Sequence, residues 1–450
     1  MSAASKPMNF REIANAIMAS SPADETEVVY RRHDESLTRF ANNHIHQNVT
    51  ETDHGIAVRC ISGSRCGIAV SNVVHPDNLR RLAQLAYDLA KQQPENPDFK
   101  GLPGPSLIIE TSAFDSEVAA CSPAYRAKGI GIICTQAAQA GYNAAGSMTT
   151  GTTMLGVANS KGVFAQCETT LVDASTVVMS PTSSGWAQAS GWKLNAVNWE
   201  SLAAEAIRKA RMGENPGDCD PGDYTVVLDP YATADLLEMM AMDGMSALAY
   251  QEERSWLNGR LGERILSEQI NILDDGHDEE GIPAPFDFEG QPKHIVPIIN
   301  AGVCEGMVHD SFTAGRQSGS VSTGHASAPS PTERPAPLPR NLFMRPGTSN
   351  IDEMIASTKN GLYITRFWYT RAVHPRDVVV TGMTRDGTYL IRDGEIAGAV
   401  KSMRFTQSYL AALANTLAIG STCKTLRNEN AAFNVPAVKL ERFRFTGATK

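Results

Sequence analysis

"TGMTRDGTYLIRDGEIAGAV" (residues 381–400) carries two Asp-Gly pairs, Asp386-Gly387 and Asp393-Gly394, between runs of alternating apolar and polar residues. Both members of such a pair tolerate positive φ, the backbone that a tight turn between antiparallel strands requires. The stretch therefore predicts two hairpin turns, and with them a C-terminal half rich in strands and poor in helices. A second hairpin signal lies far upstream, where "GIAVRCISGSRCGIAVSN" (residues 55–72) alternates about a Gly-Ser turn. The helix that follows places Leu79, Leu82, Leu85, Ala86 and Leu89 at helical spacing, so one face should pack on that first sheet.

Two breaks divide the chain. Residues 92–106, "QQPENPDFKGLPGPS", are proline-rich, and residues 211–230, "RMGENPGDCDPGDYTVVLDP", are dense in Gly, Pro and Asp. The expected domains are 1–105, an N-terminal α/β unit; 106–222, a middle β-rich unit with a second antiparallel sheet; and 223–450, the β-rich C-terminal domain. The fold class is α+β, with an antiparallel-sheet-rich N-terminal domain carrying helices ahead of the β-rich C-terminal one. Residues 313–340 hold five prolines with many Ser and Gly and predict a long loop.

Composition excludes several classes. The 450 residues carry a formal charge of -9 with both signs scattered, and no basic stripe suits a phosphate backbone, so nucleic acid is not an expected partner. No run of eighteen apolar residues could span a bilayer. The N-terminus "MSAASKPMNFREIANAIMASS" reads as a short amphipathic helix, not as a signal peptide, so the expected compartment is the cytoplasm. Eight cysteines without a CxxC pair read as small buried hydrophobes.

No HExxH or HExxxH zinc helix, GxSxG elbow or GxxxxGK[ST] loop occurs. Chemistry-bearing side chains stand out elsewhere. On the apolar helix "TADLLEMMAMDGMSAL" (residues 233–248) the acids Glu238 and Asp243 are the candidates. Residues five apart on a regular helix point about 140° from each other, so the pair does not converge without a π-bulge. His44 and His46 share one side of an expected strand, and His325 sits in a glycine-rich loop.

Several segments together carry a resemblance: "RSWLNGRLGERILSEQINILDDG", "PAPFDFEG", "INAGVCEGMVHDSFTAGRQSGSVSTGHA" and "TGMTRDGTYLIRDGEIAGAVKSMRF", with "ESLTRFANNHIHQNVTE" and "GTTMLGVANSKG" in the first half. In this order and over nearly the whole chain they resemble the TldD/PmbA family of metallopeptidase homologues. In that family the TldD-type chain carries HExxxH on a helix ahead of the segment that stands here as "SWLNGRLGE" (Ser255 to Glu263), with a further cysteine ligand near the C-terminus. The TldE/PmbA-type chain lacks the motif and pairs with the first in a complex that acts on unfolded or modified peptides.

This sequence has the segment and lacks the motif. The TldD-type interval, counted back from Ser255, puts Glu238 and Asp243 at the two histidine positions and Met239 at that of the catalytic Glu. Cys423 stands where the cysteine ligand would fall. The resemblance thus implies a TldE/PmbA-like chain with no metal of its own, a zinc-bearing TldD-like partner in a heterodimer, and an extended peptide as substrate. Glu238, Asp243 and Cys423 are the candidates if this chain has chemistry of its own. Arg316, His325, Arg385 and Arg404 are candidate surface groups for binding peptide. Two other readings stay open: an autonomous metal- or Cys-dependent peptidase, and a peptide-binding homodimer without turnover that works by strand addition.

Overall fold

The computed structural model describes residues 8–333, 335–428 and 431–448. Helix α1 (Phe10–Ser20) starts at Asn9, whose side chain accepts the Glu12 N–H while the Glu12 carboxylate accepts the Asn9 N–H. That reciprocal cap satisfies two backbone donors that a helix leaves open. The first half then runs through β1 (Glu25–Ala41), β2 (His44–Ser62), β3 (Arg65–Ser71), α2 (Pro76–Gln92), α3 (Ser116–Ala119), α4 (Pro123–Gln139), β4 (Asn143–Asn159), β5 (Phe164–Met179), β6 (Ser184–Gly191) and α5 (Trp199–Met212).

These strands form one antiparallel sheet in the order β3-β2-β1-β4-β5-β6. The middle segment does not make the separate sheet expected of it. β4 pairs with β1 from Glu27↔Asn159 to Phe40↔Gly146, so the strands on either side of the proline-rich connection share one ladder. Alternation divides the faces. Val28 and Tyr30 pack with α1 and α2, while Val29 turns the other way, to Val157, Ala165 and Phe286 of the C-terminal half.

Helix α2 buries Leu79, Leu82, Ala83, Ala86 and Ala90, whereas Leu85 and Leu89 are exposed. The reason is proximity: a Cβ on Gly67 of β3 would lie 2.3 Å from the Ala86 carbonyl oxygen and 2.2 Å from the Ala90 nitrogen. At so close an approach the positions opposite Gly67 take alanine, Ala86 and Ala90, and Leu85 and Leu89 fall on the neighbouring, outward face.

The second half contains β7 (Gly222–Leu228), α6 (Pro230–Gly244), α7 (Ala247–Gln251), β8 (Ile272–Asp274), β9 (Val296–Asn300), β10 (Val303–Cys304), α8 (Ser311–Gly315), β11 (Asn341–Met344), α9 (Ile351–Ala356), β12 (Asn360–His374), β13 (Val379–Arg392), β14 (Glu395–Ala399), β15 (Met403–Ser408), α10 (Tyr409–Ala414), β16 (Thr416–Arg427) and β17 (Ala432–Ala448). Its sheet is mixed, since β7 runs parallel to β12 and β11 parallel to β17. The pairings β7-β12-β13-β15-β17 close on themselves, because β17 returns to β7. Phe367, Phe405 and Phe443 from this ring of strands and Tyr409 of α10 share one core with Leu236, Leu237 and Met240 of α6.

The two Asp-Gly pairs part company. Asp393 (φ 47°) and Gly394 (φ 84°) make the turn between β13 and β14. Asp386 (φ 56°) and Gly387 (φ 141°) lie inside β13, where Thr365 of β12 stands opposite both. They form a bulge, held by the Thr365 hydroxyl, which lies 3.0 Å from the Asp386 carbonyl and 3.1 Å from that of Gly387.

The turn is testable. At Gly394 a side chain would meet left-handed backbone and the Ala356 carbonyl at 2.6 Å, whereas at Gly55 it would meet open space. Gly394→Ala should cost about 1 to 3 kcal/mol in chemical denaturation, and Gly55→Ala little. Equal losses would count against this reading.

Candidate functional site

Helix α6 opens on Asp229 and Pro230, with proline at the one helical position that needs no N–H. The Asp229 carboxylate accepts the Tyr363 hydroxyl (2.7 Å) and lies 3.3 Å from the Lys209 ammonium of α5. At the far end the helix is tied down by the segment that follows it. Trp256 Nε1 donates to the Met240 carbonyl (2.8 Å) and Ser255 Oγ to that of Gly244 (2.5 Å), which satisfies carbonyls that a helix end leaves open. Gly244 is required there, since a Cβ would lie 2.5 Å from the Trp256 ring.

Between these ties Tyr231, Ala234, Asp235 and Glu238 share one face and line a cavity of about 270 Å³ with Trp186, Arg366, Trp368 and Asn428. Asp235 accepts the hydroxyls of Thr370 (2.7 Å) and Tyr409 (2.8 Å). Burial pushes its carboxyl up to about 6. Glu238, one turn on, is pushed up to about 7 by burial and by the charge of Asp235. Both acids thus hold a proton at pH values where a surface carboxylate has lost it.

The opposite wall is cationic and aromatic. The Arg366 guanidinium lies 4.3 Å from the Trp186 ring centre and 5.0 Å from that of Trp368, and its Nε is 3.0 Å from Asp386 Oδ2. The bulge in β13 aims that carboxylate, whose other oxygen accepts the Ser184 hydroxyl (2.6 Å). Beyond Tyr231 a second cavity of about 430 Å³ includes Gln188, Glu205, Cys423 and Lys424. Lys424 bridges the Glu205 carboxylate (2.7 Å) and the Tyr231 hydroxyl (2.6 Å). Burial would raise the Glu205 carboxyl, yet Lys209 and Lys424 hold it below its ordinary value.

The sequence candidates are scattered. Glu238 faces the first cavity, while Cys423 lines the second, with its thiol raised to about 11 by burial and by Glu280. Asp243 lies on α6, regular throughout, and its side chain is outside the described residues. His325 is not a surface group: it is 0% exposed, between Asp274 (2.7 Å) and Thr323 (2.9 Å). Arg316 pairs with Asp98 (3.3 Å), Arg404 is exposed on β15, and Arg385 lies over the Trp368 ring at the rim of the first cavity. Asp235 was missed, although its i, i+3 relation to Glu238 is readable from spacing. Arg366 gave no local signal.

These residues do not fit zinc. Zinc needs its ligands to converge on one point, whereas Cys423 lines a different cavity from Glu238. Among the described residues no group of three or more His, Cys, Asp or Glu is placed to hold a metal.

Fold and site define an α+β chain whose apolar helix presents two acids with raised carboxyls to a cavity between two sheets. Residues 221–447 match the PmbA/TldA metallopeptidase C-terminal domain and residues 26–90 match PmbA/TldA metallopeptidase domain 1. The chain belongs to the TldD/PmbA family. A metalloprotease TldD homologue of Haemophilus influenzae is 29% identical over 201 residues, 44% of this chain and 41% of that protein. A metalloprotease of Methanocaldococcus jannaschii is 27% identical over 168 residues, 37% of each chain. The chain thus matches about two fifths of the length of these relatives. The crystal structure of TldE from Thermococcus kodakarensis shares the fold, with a TM-score of 0.89 at 19% identity over 97% of this chain and 99% of that one.

The raised carboxyls make a prediction about pH. Ordinary values are 3.8 for Asp235 and 4.5 for Glu238, so between those values and about 6 to 7 the folded chain binds more protons than the unfolded one. The contribution of these two groups to stability therefore falls as pH rises through that window. In Glu238→Gln one of the two titrations is gone, and the decline of the unfolding temperature from about pH 5 to 7 should be shallower than in the parent chain. Thermal scans that give parallel slopes would refute the assignment.

Proposed function

We propose that this chain is the TldE/PmbA-like, non-catalytic subunit of a cytoplasmic TldD/TldE-type metalloprotease complex that acts on unfolded or modified peptides. The observation that carries the reading is the cavity face of α6. It offers Asp235 and Glu238 with carboxyls raised to about 6 and about 7, while Met239, at the position the resemblance assigns to a catalytic Glu, is 8% exposed within the core. A thioether cannot take a proton from water, so no general base stands at that place. The zinc and the base belong, on this reading, to a TldD-like partner chain.

The part left to this subunit is to shape the peptide path. The Glu238 carboxyl, raised to about 7, can donate a hydrogen bond to peptide main chain or accept one from it, and the Trp186 and Trp368 rings offer apolar surface beside it. Such contacts favour extended main chain over any one sequence, which suits unfolded substrates.

Co-expression with a TldD-like chain should give a complex that elutes as one species and cleaves unfolded peptide until a chelator is added. The purified single chain should cleave nothing. Chelator-sensitive cleavage by this chain alone would overturn the proposal, and so would failure of the two chains to associate.

A further inference from the structure

A second polar site lies away from α6, where the first sheet meets the C-terminal half. Glu27 of β1 and Arg59 of β2 are direct cross-strand partners. Glu27 shares the strand face of Val29, which turns toward the C-terminal half. There Arg59 Nη2 is divided between Glu27 Oε2 (2.9 Å) and Glu289 Oε1 (3.0 Å). The other Glu289 oxygen accepts the Ser311 N–H (3.0 Å), and Asp310 Oδ1 accepts both the N–H and the hydroxyl of Thr313 (2.7 Å each). Glu27 Oε1 is left over: the residue is 0% exposed, and this oxygen has no hydrogen-bond partner among the described residues.

Glu27, Arg59, Glu289 and Asp310 line a cavity of about 210 Å³ whose other walls include Ile68, Phe99 and Phe288. That exceeds the ~150 Å³ that holds a benzene molecule. An unpaired oxygen on a buried carboxylate is costly, and native folds rarely keep one without a use. Arg59 Nε is also unpartnered and by itself would draw an anion. The balance of charge favours a cation, since among the described residues one guanidinium and three carboxyl groups line the cavity. Among the described residues no group of three or more His, Cys, Asp or Glu is placed to hold a metal. An ammonium needs fewer acceptors, and the apolar walls suit an alkyl stem behind it.

The geometry points to a binding site for a primary aliphatic amine, its ammonium on Glu27 Oε1 and its stem against Ile68, Phe99 and Phe288. A free small amine and the side chain of a peptide lysine share this chemistry. Isothermal titration of the full-length chain with n-butylammonium and with Nα-acetyl-lysine amide tests it and tells the two sources apart. Binding of either is the expected result, with n-butanol failing to bind and Glu27→Gln weakening the amine by about tenfold or more. If Glu27→Gln does not fold, Ile68→Phe, which fills the apolar wall, should abolish binding instead. The inference falls if neither amine binds at millimolar concentration, if n-butanol binds as tightly, or if the folded variant binds as the parent does.

Discussion

The rest of the structure depends on one buried charge, the Lys209 ammonium. It is 0% exposed at the seam between the two sheets, 2.8 Å from Glu205 one turn back on α5 and 3.3 Å from Asp229 at the start of α6. Removing one member of such a pair costs about 3 to 5 kcal/mol, because the other is left buried and uncompensated. The constraint is geometric as much as energetic. Asp229 also holds the Tyr363 hydroxyl, Tyr389 donates to the Lys209 carbonyl (2.7 Å), and Glu205 passes the contact on to Lys424 and Tyr231. An α5 bound this way cannot slide, since a Cβ on Gly185 of β6 would lie 2.2 Å from the Ala206 carbonyl. Both cavities inherit their shape from that seam.

The other end of α6 shows why "SWLNGRLGE" is informative. Ser255 and Trp256 close the helix by accounting for its last carbonyls, and the arrangement tolerates only glycine at 244. A segment under that constraint keeps its pattern whether or not the helix beside it holds a metal. The family was therefore legible from residues whose part is to close a helix.

How far the sequence could be read follows the range of the interactions. The Gly63-Ser64 turn and the Asp393-Gly394 turn are local and were read correctly, because the backbone conformation is set by the residues themselves. Asp386-Gly387 has the same local chemistry but is a bulge, since β12 and β15 both pair with β13 and the strand continues through it. The single first sheet and the exposure of Leu85 and Leu89 depend on how closely distant elements approach, which no local pattern records. The site divides in the same way. Glu238 was found, as an acid on an apolar helix is conspicuous. Asp235 is the acid that shares its face, because a helix brings positions three apart together, whereas the pair read from the sequence, Glu238 and Asp243, is five apart.

The two acids of α6 can now be placed in a physical argument. A carboxylate that binds metal must give up its proton and meet further donors at one point. Asp235 and Glu238 meet neither condition: burial raises both, the charge of Asp235 raises Glu238 further, and Arg366, the cation across the cavity, is turned to Asp386. What burial produces instead is an Asp235 carboxyl held by two hydroxyls and, one turn on, a Glu238 carboxyl raised to about 7 in a cleft with aromatic walls. On the proposed reading an apolar helix keeps such acids because the first is satisfied by its hydrogen bonds and the second can take up a proton and still address a peptide backbone.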